Sequence, residues 1–119
     1  MTLEKKQLGA RGERVALRYL RRAGMRLRTR NWRSRSGEAD LIMQEGDTIV
    51  FVEVRSRASS PVAHPMDALD SRKLKRMVRV AEDYLYRYKL LERPWRIDCV
   101  FVSFDQRGKP QFDHVRNAV

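Results

Sequence analysis

The stretch GEADLIMQEGDTIVFVEVRSR, residues 37 to 57, constrains the fold more than any other part of this chain. Two apolar runs, 38–45 and 48–56, flank the tetrapeptide EGDT. Gly46 is the first of its two central residues, where a type II′ hairpin turn places glycine. A two-residue loop sets the register, so Glu45 faces Thr48 and every further pair follows. Ala39, Leu41 and Met43 are then expected opposite Val54, Val52 and Val50, on one apolar face. The same register sets Asp40 against Glu53 on the other face. Three carboxylates, Glu38, Asp40 and Glu53, thus occupy strand positions in a chain whose formal charge is +11. Opposed like charges on a sheet are unfavourable by roughly 0.2–1 kcal/mol, and by more when partly buried. Something has to offset them.

Helical periodicity brackets the hairpin. Leu8, Val15, Ala16, Tyr19, Leu20 and Ala23 recur at helical spacing and predict an amphipathic helix over 3–23, with Arg14, Arg18, Arg21 and Arg22 on its wetter side. Gly24 is placed to stop it. Residues 26–33 alternate weakly and predict an exposed strand, followed by a turn at 34–37. ASSPVAHP, 58–65, reads as a loop. A second helix is predicted over 67–91, capped by Asp67 or Ser71, with Leu74, Met77, Val78, Ala81, Leu85 and Tyr88 inward. WRIDCVFVSF, 95–104, is nearly continuously apolar, which suits a central strand. RGKP turns the chain, and 111–115 form a last strand at an edge. The order α-β-β-β-α-β-β predicts a single α/β domain over 1–119, one mixed sheet with helices packed on it.

Charge is unevenly distributed. Residues 1–36 hold twelve Lys and Arg against two Glu, and 71–96 hold nine against three acids. The segment between them, 37–70, holds seven acids against two Arg. Basic flanks predict attraction to a polyanion, nucleic acid first and an anionic membrane surface second; a solubilising surface is the plainer alternative. No apolar run reaches about 18 residues, so no membrane span is expected. The N-terminus has no apolar signal core. The lone Cys99 suits a reducing cytoplasm and reads as a small buried hydrophobe.

Glu38 lies two residues before Asp40 and Arg55 two after Glu53, so each shares its neighbour's face. Mg²⁺ or Mn²⁺ is the natural counter-charge, since such ions are held by one or two carboxylates plus water and substrate phosphate. That arrangement suits phosphodiester hydrolysis, with cations beside the metal steadying the phosphate. The competing reading makes Glu53 and Arg55 exposed ion pairs at a strand end. His64 and His114 are isolated and make a poor metal set. Asp98, beside Arg96 in a core strand, reads as a structural hydrogen-bonding group. Trp32 reads as sheet packing, with base stacking as the alternative.

GARGERVALRYL, RNWRSRSGEADLI, FVEVRSR and RIDCVFV, taken together, resemble the YraN family. That is an uncharacterised bacterial family similar to archaeal Holliday-junction resolvases, within the restriction-endonuclease-like superfamily. The match runs from about Gly9 to Ala118. The resemblance implies a restriction-endonuclease-like fold with Asp40 and Glu53 as metal-binding residues, and with Glu13 of GARGE joining them from the first helix. It implies a metal-dependent endonuclease acting on DNA, with branched or damaged DNA as candidate substrates. Arg14, Arg18, Arg21, Lys73 and Arg76 are the expected contacts to the nucleic-acid backbone, and a junction substrate would call for a homodimer. One departure matters: the superfamily pattern is Glu-x-Lys, and here Arg55 stands in the Lys position. An arginine does not lose its proton. The substitution leaves an active nuclease, a slow one, or a nucleic-acid binder without catalysis, with Lys73 as a candidate replacement ammonium.

Overall fold

The computed structural model describes residues 3–57 and 70–119. The elements follow as α1 (Leu3–Arg22), β1 (Arg26–Ser34), β2 (Gly37–Glu45), β3 (Thr48–Arg57), α2 (Ser71–Arg87), β4 (Trp95–Phe104) and β5 (Pro110–Val115). This is the expected α-β-β-β-α-β-β order. The five strands form one sheet in the order β1-β2-β3-β4-β5. Among the described strands only β3 and β4 pair in parallel, because α2 carries the chain back between them; a hairpin cannot. Among the described residues, no helix is long and apolar enough to cross a membrane.

The helices cover opposite faces of the sheet. Ala16, Leu17 and Leu20 of α1 pack with Leu41, Met43, Val50, Val52, Val100 and Val102. Met77, Val80, Ala81, Tyr84 and Leu85 of α2 pack with Ile42, Ile49, Phe51, Ile97 and Cys99. Strand residues alternate between the two clusters, as the two-residue period requires. β3 and β4 are buried on both faces, which is why their sequences read as nearly unbroken apolar runs. β1 and β5 are the edges, as expected. Cys99 is fully buried, and burial pushes its thiol up to about 12, which leaves it a packing residue.

The β2–β3 turn takes the expected form. Gly46 has φ +60°, Asp47 is not left-handed, and Leu41, Met43 and Glu45 face Val52, Val50 and Thr48. One expectation fails at Ala39. It packs on the α2 side with Ile42 and Phe51, whereas Leu41 and Met43 face α1. A strand cannot place residues 39 and 42 on one face without losing a step of its alternation, and the step is lost at Asp40. The regular ladder between β2 and β3 ends at Leu41↔Val52.

Helix boundaries and faces also shift. α2 starts at Ser71 with Asp70 as its cap, accepting from the Lys73 N–H, rather than with Ser71 as cap. Asp67, like the 58–65 loop and His64, lies outside the described residues. Val80 and Tyr84 join the inner face, while Tyr88 is exposed. Leu17 replaces Ala23 on the inner face of α1.

Gly12 sets the approach of α1 to β3. A β-carbon there would overlap the Ser56 Oγ and stand 3.0 Å from the Ser56 Cβ. Glycine in mid-helix lowers helix stability by roughly 0.5–1 kcal/mol relative to alanine, and here it admits the strand. Gly12→Val should lower stability by about 1–3 kcal/mol through overpacking, read as a lower unfolding temperature, and Ser56→Gly in the same chain should restore most of it. A Gly12→Val protein with parental stability would mean that α1 does not rest on Ser56.

Candidate active site

The lost step in β2 shapes the site. Beyond the last ladder pair the Val54 N–H has no carbonyl opposite it, and the Asp40 carboxylate accepts it instead (Oδ2 to N, 2.9 Å). This turns Asp40 toward Glu53, which follows Ile49 and Phe51 on the α2 side of β3 and is 7% exposed. The two carboxyl groups are close enough to share a hydrogen bond. The juxtaposition expected from the hairpin register is therefore present, though the side chains rather than the ladder complete it.

Burial first, and the Glu53 charge second, push the Asp40 carboxyl up to about 8, against the pull of the Val54 N–H. Glu13 reaches the same region from α1, next to the Gly12 contact. Its carboxyl is raised by burial and then by the charges of Glu38 and Glu53, while Arg30 pulls the other way. Glu38 turns outward to Arg33, 2.7 Å away, and lies on the rim.

Cations close the opposite wall. Lys73, in the first turn of α2, sets its Nζ 2.9 Å from Glu53 Oε2. Arg55 Nε lies 3.3 Å from the same oxygen, but its N–H is not aimed there. That buried Nε has no hydrogen-bond partner among the described residues. Arg76 lies against Gly37, whose φ of +146° disfavours a side chain and where a β-carbon would stand 3.3 Å from Val80 Cγ2. Gly37, Asp40, Glu53, Arg55, Lys73 and Arg76 together line a pocket of about 320 Å³.

Asp40, Glu53, Arg55, Lys73 and Arg76 are thus gathered at one place. Arg14, Arg18 and Arg21 are not; they lie along α1 in a separate pocket. Lys73 sits deeper than a backbone contact should, directly on Glu53. Sequence reading passed over Gly12 and Gly37. The signal for Gly12 was a glycine inside a strong helical pattern, immediately before Glu13.

The donors suit a hard divalent cation. Two touching carboxylates supply the oxygen ligands, and the unpaired Arg55 N–H points to a missing oxygen beside them. Among the described residues no three His, Cys, Asp or Glu side chains are grouped closely enough to form an all-protein metal cage. Asp40 and Glu53 are the two carboxylates that would hold such an ion.

Away from this pocket, Asp98 is the hub of a buried network. It takes Arg96 Nε at 2.9 Å, His114 Nε2 at 2.8 Å and the Asn117 N–H at 2.9 Å. His114 reaches the Tyr19 hydroxyl with its other nitrogen, 3.2 Å away. The structural reading of Asp98 and His114 holds. Trp32 packs edge-on against Tyr84 and Tyr88, as a sheet-packing residue does.

Fold and pocket together define a mixed-sheet α/β domain with a carboxylate-and-cation cleft beside its two central hairpin strands. The chain belongs to the uncharacterised protein family UPF0102, whose model matches residues 12–102; this is the YraN family that the motifs resemble. A UPF0102 protein of Beutenbergia cavernae is 41% identical over 112 residues, covering 94% of this chain and 95% of that one. One from Rhodococcus opacus is 43% identical over 114 residues, covering 93% and 94%. Among solved structures, Archaeoglobus fulgidus Hjc, a Holliday junction resolvase from an archaeal hyperthermophile, is similar at a TM-score of 0.47 and 19% identity, over 88% of this chain and 75% of that one.

Proposed function

We propose that this protein is a restriction-endonuclease-like, metal-dependent DNA endonuclease that hydrolyses phosphodiesters, with branched or damaged DNA as its substrate. One observation carries the reading: Asp40 and Glu53 are held in contact in a pocket whose other wall is Lys73, Arg55 and Arg76. Like charges forced together are expensive unless the site uses them. Asp40 and Glu53 hold Mg²⁺ or Mn²⁺, and Glu13 tunes the field from α1. A bound cation there supplies Lewis acidity toward a phosphoryl oxygen and acidifies a water.

The chain's own groups do the rest. Arg55 directs its free N–H, and Lys73 and Arg76 their charges, toward the phosphate oxygens on which charge grows. Water adds to phosphorus, the bond to the departing sugar oxygen breaks, and that oxygen takes up a proton. Contacts of this kind select for backbone shape rather than base sequence. Symmetric cutting of a junction requires two such sites, hence a homodimer.

A second reading, a DNA binder without catalysis, is favoured by one contact. The Lys73 ammonium already neutralises Glu53 at 2.9 Å, as a purely structural ion pair would.

Labelled four-way junction, flap, single-stranded and plain duplex DNA, each with Mg²⁺, Mn²⁺ or EDTA, separate the two. Metal-dependent cutting that Glu53→Ala abolishes is the expected result. Binding with no cutting in any metal would leave the second reading; Arg55→Lys would then show whether that position silences the site.

A further inference from the structure

Several of this chain's arginines have internal work. Arg28 is held by the Tyr84 hydroxyl and Gln44, Arg33 by Glu38, Arg96 by Asp98 and Glu45, and Arg116 by Glu45. Five others do not. Arg14, Arg18, Arg21 and Arg22 of α1 and Arg30 of β1 line a groove of about 390 Å³ whose apolar wall is Leu17. The four helix arginines take no hydrogen bond or ion pair among the described residues, and Arg30 has only a longer-range attraction to Glu13. Positions 14, 18, 21 and 22 form one stripe, and like charges at that spacing destabilise a helix. Water and salt screen this exposed stripe, and an anion bound along it would offset the repulsion more directly.

The shape of the groove narrows the anion to a polymer. Arg14 and Arg22 are eight residues apart, about 12 Å along the axis, so the charges are strung out rather than converged on one small ion. Phosphates along one strand of a duplex advance about 3.4 Å each, so the stripe matches roughly three of them. A membrane surface fits poorly, because a helix lying in lipid needs its apolar face free. Here Ala16, Leu17 and Leu20 are buried against the sheet. The groove is separate from the carboxylate pocket but neighbours it through the chain: Arg14 follows Glu13, and Arg30 pairs with Leu41, the neighbour of Asp40.

We propose that this α1–β1 arginine groove is a second phosphate-binding surface, which holds a run of about three phosphates of the nucleic-acid backbone to one side of the Asp40–Glu53 pocket. The proposal rests on the reading of that pocket as a phosphodiester site and adds to it the direction in which the strand leaves. The groove lies on the α1 face of the sheet, while Lys73 and Arg76 grip from the α2 face, so a bound backbone passes around the β1 edge.

The test is binding of the full-length chain to labelled duplex DNA by fluorescence anisotropy in EDTA, where no cutting is needed. Affinity is followed from about 50 to 200 mM salt. Replacing Arg18, Arg21 and Arg22 together by Ala should reduce the slope of log affinity against log salt by between about 2 and 3, at roughly 0.9 per lost phosphate contact. Arg93→Ala, an exposed arginine outside both pockets, should keep the parental slope. The single charge reversal Arg18→Glu, checked for fold by circular dichroism, should weaken binding at least tenfold. An unchanged slope in the triple variant would overturn the groove even if the parent cuts DNA. A reduced slope in a protein that never cuts would sustain the groove and remove the nuclease reading. A parent that binds phosphatidylserine vesicles or an acidic peptide but not DNA would overturn the groove as a nucleic-acid surface.

Discussion

Asp40→Asn is expected to remove metal-dependent cleavage, by about 10³-fold or more, and yet to leave the metal-free protein more stable than the parent at pH 8. The first effect follows from the proposed role. A polarising cation contributes several kcal/mol to such a reaction, and each 1.4 kcal/mol is about tenfold. The second follows from the Asp40 carboxyl, raised from 3.8 to about 8 by burial and by Glu53. Between those values the folded protein keeps a proton that the unfolded chain has released. The Asp40 contribution to stability is therefore greatest below about pH 4, falls as pH rises through the window, and levels off above about pH 8. An Asn at 40 keeps an acceptor for the Val54 N–H and has no charge to hold beside Glu53, so it lacks that slope. Divalent cation reverses the pattern in the parent, because binding needs Asp40 ionised and so releases protons near neutrality. Unfolding temperatures of parent and Asp40→Asn, from pH 4.5 to 9 with and without Mn²⁺, read all of this at once. A parent-minus-variant difference that stays flat with pH would show that the two carboxylates are not in conflict.

Asp98→Ala should lower stability by about 3 kcal/mol, as much as truncating a large core side chain. Asp98 is fully buried, and removing one partner of a buried charge network leaves the others uncompensated, which typically costs about 3–5 kcal/mol. The low end applies because Arg96 retains Glu45 at 3.0 Å. What is lost is His114's acceptor, Arg96's inner partner and the anchor of the Asn117 N–H, so the C-terminal segment loosens from β4. Burial opposes ionisation of Asp98, but the bonds from His114, Arg96 and Asn117 outweigh it and hold its carboxyl below the usual range. Its contribution is thus fully present above the usual carboxylate value and is lost as pH falls below it through the lowered folded value, opposite in sign to Asp40. Asp98→Asn, which keeps an acceptor, should lose less. Denaturant unfolding decides; a loss under about 1 kcal/mol, the worth of an exposed pair, would mean that the network carries no load.

The element order, the turn at Gly46-Asp47, the Leu41↔Val52 and Met43↔Val50 pairs and the nearness of Asp40 to Glu53 were all legible in the sequence. They rest on local rules: a two-residue turn admits one register, and periods of 2 and 3.6 tell strand from helix. The face of Ala39 was not legible. Nothing near it in the chain announces that the strand loses a step, because the cause is a side chain taking a backbone bond from a different strand. The role of Lys73 was legible only as a possibility. It lies 20 residues from Glu53, and only the packing of α2 over Phe51 and Ile97 brings its ammonium to that carboxylate.

The same division runs through the whole protein. By itself the sequence determined which residues could carry charge chemistry, the strands that hold Asp40 and Glu53, and where the basic flanks lie. Only the tertiary structure decided which cations meet those carboxylates and which stay unpaired, since Arg28 and Arg30 are two residues apart yet one is tied to α2 and the other opens onto the α1 groove. Sequence spacing specifies direction within one element, whereas charge pairing depends on distances between elements, and those are settled only when both helices have closed on the sheet.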